Sequence, residues 1–333
     1  MDVLVTGGAG YIGSVIAARL LAAGHAVTVF DDLSRGHTTA VPPGAALVVG
    51  DIRDGERLAA AMTAAGCDAV VHMAALAEVA ESVAFPERYH DVNTEGTRRV
   101  AEAALATGAT RLVFSSTAAV YGAPQRVPIG EDATLAPTNP YGDSKLAAER
   151  LLGEAAAASG GRLAVVALRD FNAAGADGVR GEDHEPETHL VPLALAAARD
   201  GTPQRVFGDD YSTPDGTCVR DYVHVSDLAA AHVAALERLP GVSGACNLGT
   251  GSGSSVREVL RAVEAATGRT LTEETAPRRA GDPPVLVASN ERARRMLAWQ
   301  PRASLDGIVA DAWRWMREHP HGYGDRDAGE QRA

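Results

Sequence analysis

Tyr141 and Lys145 stand four residues apart in YGDSK, at the start of a helical stretch, a spacing that puts both side chains on one helix face. A tyrosine works as a base near neutral pH only if its pKa of about 10 is brought down. Lowering it by about three units takes roughly 4 kcal/mol of differential stabilisation of the phenolate, and a neighbouring ammonium is one source. In isolation the pattern also describes an exposed tyrosine one turn from a surface lysine. Its weight rises because an upstream strand ends in Ser115, Ser116 and Thr117. In an open α/β sheet, ligands gather at the carboxyl ends of the strands. Thr117 can hydrogen-bond a reacting oxygen beside Tyr141, so the chemistry implied is proton removal from an alcohol.

A second group of residues supplies the other half of such chemistry. TGGAGYIG carries Gly7, Gly10 and Gly13 in a GxxGxxG spacing between a strand and a helix. The first glycine permits a tight turn and the second lets backbone approach a pyrophosphate. The third allows close helix–strand packing, and the helix N-terminus supplies partial positive charge. Glycine turns are common, but this one follows the first strand, and the second strand ends in Asp31 and Asp32. Asp31 can accept from an adenosine ribose and would repel a 2′-phosphate, so NAD is expected rather than NADP. The positive nicotinamide is then a second cation for the Tyr141 phenolate. Arg35, behind two carboxylates, reads as a surface residue. Asp51 and Ile52, closing the third strand, either flank the adenine or cap the next helix.

These side chains need a scaffold, and the first half of the chain describes one. Residues 3–6, 26–30, 47–49, 69–72, 112–115 and 163–168 read as strands, and 12–23, 57–65, 94–107 and 144–158 as helices. Near-continuous apolar strands alternating with helices predict an α/β fold, a doubly wound parallel sheet of Rossmann type covered on both faces. After Phe171 the pattern loosens into a polar stretch (175–187), a helix (189–199) and a Gly/Asp/Pro-rich segment (208–216). That predicts a dinucleotide-binding domain over 1–172, with 221–249 returning to it, and a smaller C-terminal substrate-binding lobe over most of 173–333. The final helix is signalled by Leu305, Ile308, Val309, Ala312, Trp313 and Met316 on one face, with Ser304 as cap. Residues after His321 are polar and expected to fray.

Composition narrows the function. With 31 Lys and Arg against 43 Asp and Glu, the net charge is −12, which argues against a nucleic-acid partner but not against a phosphorylated small ligand held by a few cleft arginines. Cys67, Cys218 and Cys246 lie far apart, in no zinc or disulfide spacing, and suit a reducing cytoplasm. MDVLVTGG runs straight into a strand, so no signal peptide is expected, and no apolar run approaches a membrane span.

Taken together, GxxGxxG, Asp31, the Ser-Ser-Thr strand end and YxxxK resemble the extended short-chain dehydrogenase/reductase superfamily. Over nearly the whole chain the sequence is most similar to its UDP-glucose 4-epimerase family, through VLVTGGAGYIGS, GDIRD, AESVAFPERY, FSSTAAVYG, NPYGDSKL, FNAAGA, FGDDYSTPDGTCVRDYVHV, NLGTG and APRRAGD. The resemblance implies Tyr141 as base with Thr117 assisting. It implies NAD contacts from Tyr11, Ile12, Asp31, Asp51, Ile52, Met73, Ala74, Ala75, Thr117, Tyr141, Lys145 and Phe171. It implies a UDP-hexose against Asn172, His189, Leu190, Val206, Phe207, Arg220, Arg279 and Asp282, where arginines suit a diphosphate. It further implies C4 oxidation to a keto sugar, rotation, re-reduction, and a homodimer built on helices 94–107 and 144–158.

Four positions depart from that family. Asp170 replaces the usual tyrosine before Phe-Asn, Ala77 a frequent lysine, and Asp143 a common lysine inside YxxxK; Val92 stands where some members have asparagine, with Asn93 adjacent. Related dehydratases and decarboxylases place acids just after the active-site threonine, where this chain has Ala118 and Ala119. Leu286 stands where residue size governs entry of N-acetylated sugars and is intermediate, so a UDP-N-acetylglucosamine or dual-specificity epimerase is the alternative. A non-catalytic NAD-binding regulator is the rival from another class.

Overall fold

The computed structural model describes residues 1–279 and 281–325. Its first half alternates as the apolar runs demand. Strands β1 (Asp2–Thr6), β2 (Ala26–Asp31), β3 (Ala46–Val49), β4 (Ala69–His72), β5 (Arg111–Thr117) and β6 (Ala164–Asp170) are joined through helices α1 (Tyr11–Ala22), α2 (Gly55–Ala65), α3 (Val79–Ala84), α4 (Pro86–Tyr89), α5 (Gly96–Thr107) and α6 (Pro140–Ala158). A π-helical turn, His90–Glu95, leads into α5. Valines dominate β1 and β4 because both of their faces are covered. Asp54 caps α2 by accepting from the Arg57 amide. Asn139 caps α6 by accepting from the Gly142 amide, with Pro140 in the first turn.

The second half builds the smaller lobe and then returns. β7 (Asn172–Ala174), α7 (Leu190–Asp200), β8 (Gln204–Phe207), β9 (Val219–Arg220) and β10 (Tyr222–His224) are followed by α8 (Val225–Arg238), β11 (Gly244–Leu248), β12 (Ser254–Ser255), α9 (Val256–Thr267), β13 (Glu273–Ala276), β14 (Val285–Leu286), α10 (Glu291–Leu297) and α11 (Leu305–Glu318). β11 pairs with β6 and completes a parallel seven-stranded sheet of order β11-β6-β5-β4-β1-β2-β3. The order reverses between β1 and β4, the position where such sheets open a ligand crevice.

Three cores hold this together. α1 and α8 cover one sheet face, with Val15, Ile16, Leu228 and Val233 buried. α2, α5 and α6 cover the other with Leu58, Val100 and Leu152. In the smaller lobe α7, α9 and α11 pack through Leu195, Val259, Ile308 and Val309. The chain also crosses back a second time, since Ala288, Ala293, Leu297 and Trp299 join the α1–α8 core.

The end of the described chain is not frayed as its polarity predicts. The Tyr323 amide donates to Asp183, its ring packs against His37 and Trp315, and Asp325 pairs with His37 at 2.6 Å. Residues 326–333, within the stretch expected to fray, lie outside the described residues. All three cysteines are free and buried. Among the described residues no helix is long and apolar enough to cross a membrane.

Candidate active site

A cleft of about 1250 Å³ runs from the carboxyl ends of the sheet strands into the smaller lobe. That exceeds the ~300–1,000 Å³ typical of a single small-molecule site and leaves room for two ligands in contact. At the sheet end it is lined by Gly7, Gly10, Tyr11, Ile12, Gly13, Asp31, Asp32, Asp51, Ile52, Met73, Ala74 and Ala75. Gly7 has φ +67°, and a Cβ there would sit 2.5 Å from the Ala74 nitrogen. One on Gly13 would meet the Gly7 carbonyl oxygen at 2.1 Å, whereas on Gly10 its nearest neighbour is 3.4 Å away. The first and third glycines are therefore needed by the fold, and the second keeps the cleft wall low. No side chain caps α1, so its N-terminal partial charge is left for an anion. This cradle fits a dinucleotide pyrophosphate.

Asp31, 7% exposed, accepts from the Ala9 and Leu33 amides, both at 2.9 Å. Burial raises its pKa while those two amides oppose the rise. It therefore fastens the end of β2 to the glycine turn. Asp32 is exposed and accepts from Ser34. Asp51 is not a helix cap, a part taken by Asp54; its carboxylate instead grips Arg53 at the cleft wall, which holds its pKa low. Tyr11 donates its hydroxyl to the Gly175 carbonyl at 2.7 Å. Arg35 is no free surface residue: it lines the cleft, donates to the Glu185 carbonyl and lies 3.8 Å from Glu81. Ala77 and Val92 also line the wall, and the adjacent Asn93 is buried, joining the Leu76 backbone to Ser144 on α6. Nothing in the local sequence around Asn93 announces that role.

Thr117, Tyr141, Lys145, Asp170 and Phe171 meet where the sheet end of the cleft opens to the lobe. Lys145 is 3% exposed, with its Nζ 4.5 Å from the Phe114 ring centroid. Burial lowers its pKa to about 8 against the pull of Asp170 and Glu149. Burial pushes Tyr141 up to about 12, opposed by a hydrogen bond from Thr117. The protein alone thus keeps the phenol protonated. Bringing it to neutrality takes on the order of 7 kcal/mol of differential stabilisation, and a bound cation is the natural source. Ser115 is already engaged, donating to Asp170 at 2.7 Å.

The lobe end is lined by Asn172, His189, Leu190, Phe207, Arg220, Arg279, Asp282 and Leu286. Arg220 donates to Asp282 and to the Val219 carbonyl. Arg279 stacks on Phe207, 4.2 Å from the ring centroid. For His189, burial alone would depress the imidazole, but Glu182 and Glu187 overcome it and raise the pKa to about 11. Arg205, Arg220 and Arg279 therefore bring positive charge to the lobe end of a chain that is acidic overall, while His189 is matched by its two glutamates. Val206 does not present its side chain to the cleft: it is fully buried in the lobe core, because alternation along β8 turns it inward while Arg205 and Phe207 reach the wall. Glu182, His184, Thr188 and Tyr222 also line this end. Ala280, inside the APRRAGD motif, lies outside the described residues.

A family model described as the NAD dependent epimerase/dehydratase family matches residues 3–249. UDP-glucose 4-epimerase of Streptomyces lividans is 51% identical over 327 residues, covering 97% of this chain and 98% of its own length. The crystal structure of UDP-glucose 4-epimerase from Brucella ovis in complex with NAD is 47% identical with a TM-score of 0.90, covering 93% of this chain and 97% of that one. The enzyme of that name from Stenotrophomonas maltophila, with bound NAD and formylated UDP-arabinopyranose, is 41% identical with a TM-score of 0.92, covering 96% and 99%.

Proposed function

This chain belongs to the NAD dependent epimerase/dehydratase family, and from that premise we propose that it interconverts UDP-glucose and UDP-galactose by inverting C4 of the sugar. The observation that carries the reading is the meeting of Thr117, Tyr141 and Lys145 between a glycine-turn cradle and an arginine-bearing lobe. Bound NAD supplies the oxidant and then the reductant for C4. Tyr141 takes the O4 proton and later returns it, and Thr117 holds that hydroxyl in line. Lys145 favours the phenolate through its charge. Arg220 and Arg279 grip the diphosphate, while Asp282 takes a ribose hydroxyl. Asn172, His189, Leu190 and Phe207 complete the wall around the nucleotide sugar. Because the keto sugar must present its other face before re-reduction, binding energy has to sit on UDP rather than on the hexose. Ala118 and Ala119 offer no acid for elimination at C5–C6, which favours epimerisation over dehydration.

A homodimer through α5 and α6, working in the cytoplasm, completes the reading. The test is turnover of UDP-galactose by the purified protein. Tyr141→Phe is expected to lower kcat by about 10²–10⁴-fold while leaving NAD bound. Protein that holds NAD yet leaves UDP-galactose and UDP-glucose unchanged would overturn the proposal, as would a Tyr141→Phe variant with full activity. The same assay with UDP-N-acetylglucosamine reads Leu286, which is half-buried at the wall beside Arg220 in register. UDP-glucose and UDP-galactose are expected to be the faster pair.

A further inference from the structure

Asp170 is one of the four positions at which this chain departs from the pattern it resembles, and it is the one with an unpartnered buried oxygen. It ends β6, opposite Thr117 of β5, lines the cleft and is 8% exposed. Its Oδ2 accepts from Ser115 at 2.7 Å, and its Oδ1 is buried with no hydrogen-bond partner. From α8, on the sheet face away from α6, His232 brings its Nε2 to 3.9 Å from Oδ2. His232 is fully buried, and that Nε2 also has no hydrogen-bond partner. The other ring nitrogen, Nδ1, lies 2.9 Å from the Leu228 carbonyl. A carbonyl only accepts, so Nδ1 carries a proton in every charge state, and a second proton would sit on Nε2.

Two groups with spare capacity therefore face each other across a gap in ion-pair range. With Nε2 bare and Asp170 ionised, a lone pair would face a carboxylate oxygen, whereas a proton on Nε2 turns that contact into an attraction. We propose that Asp170 and His232 form a carboxylate–imidazolium pair, net neutral, and that this pairing is what allows an acid to stand beside the phenol that must ionise. Asp170 is then a positioning residue, acting through the charge felt by Tyr141 and Lys145, and this consequence rests on the epimerase reading above.

The other groups nearby do not substitute for His232. From α6, Lys145 pulls Asp170 toward the carboxylate, and Glu149 is committed to Arg169 at 2.7 Å. Arg169 in turn donates to Tyr121. From β5 the hydroxyls of Ser115 and Thr117 are near, while Arg111 at the other end of the strand donates to the Leu236 carbonyl of α8, and opposite Asp170 on β11 stands Leu248. Around α8, the charged residue of α1 is Arg19, which is exposed. His72 on β4 is spent between Thr6 and Thr97. Arg292 of α10 donates to Met296. His224, before α8, lies 3.3 Å from Asp311.

Two arms test the pair. In ¹⁵N-histidine-labelled holoenzyme at pH 8, Nε2 of His232, assigned by its loss in His232→Gln, should report an imidazolium, and Asp170→Asn should convert it to the neutral ring. This arm needs no turnover, so it stands if the epimerase reading fails. In the kinetic arm, His232→Gln should raise the apparent pKa of the acidic limb of kcat by about one unit, and the same substitution in an Asp170→Asn background should leave that limb unmoved. A neutral His232 in the wild type overturns the proposal, as does a His232→Gln shift that persists without the acid. If His232→Gln does not fold, the Asp170→Asn spectrum decides alone, through loss of one imidazolium signal.

Discussion

Charge at Tyr141 is decided by single residues. Burial places the phenol at about 12 and the Lys145 ammonium at about 8, so each cation that approaches Tyr141 moves its pKa down. Removing one should move the acidic limb of the rate profile up. Lys145→Met is accordingly expected to lower kcat at neutral pH by about 10²-fold or more and to recover part of that loss as pH rises, measured as kcat from pH 6 to 10. A uniform loss at every pH would mean that Lys145 acts only by contact. Asp31, Tyr141 and Lys145 were legible in the sequence because each follows or opens an element whose period is plain. Val206 was not, since a four-residue strand can place either face inward. The capping role of Asp54 rather than Asp51 depends on where α2 begins, which apolar periodicity does not define.

At the scale of elements, the first turn of α1 is where fold and ligand compete for the same few atoms. A Cβ on Gly13 would collide with the backbone of Gly7, whereas one on Gly10 meets only an ordinary contact at 3.4 Å. Gly10 also has φ −79° and ψ 175°, a conformation open to alanine. Gly13→Ala is thus expected to destabilise the protein by about 1–3 kcal/mol. Gly10→Ala should leave the unfolding temperature of NAD-free protein nearly unchanged and weaken NAD binding. Thermal unfolding with and without NAD separates the two, and equal effects in both variants would refute this division of labour. The parallel strands of the main sheet were readable because they are buried on both faces. The short pairs of the lobe, β8 with β13 and β9 with β12 and β14, carry too few residues for a period to show. Helix α9 did carry a local signal, a capping box from Ser255 to Glu258, in a stretch whose glycines and serines otherwise read as loop.

The whole molecule places its chemistry between a sheet edge and a lobe, and leaves α5 and α6 with outward faces that contribute nothing to the cleft beyond the first turns of α6. On α5 those faces carry Arg98, Arg99 and Glu102, paired within the helix and with Glu95. On α6 they show Ala147 and Ala158, half-buried and exposed, while Leu151 and Ala155 rest partly against the core beneath. Small residues let two helices approach closely, and a two-fold axis would set the same patch of each chain against itself. An interface of roughly 1,200–2,000 Å² would suffice for a stable pair. Sedimentation equilibrium should give twice the 34.4 kDa of one chain, and Ala147→Arg should shift the population toward that single mass while NAD remains bound, because the substitution touches neither the glycine turn nor the core beneath α6. Wild-type protein sedimenting as one chain at micromolar concentration would rule the dimer out, and the active site, complete within one chain, would then have to work without it.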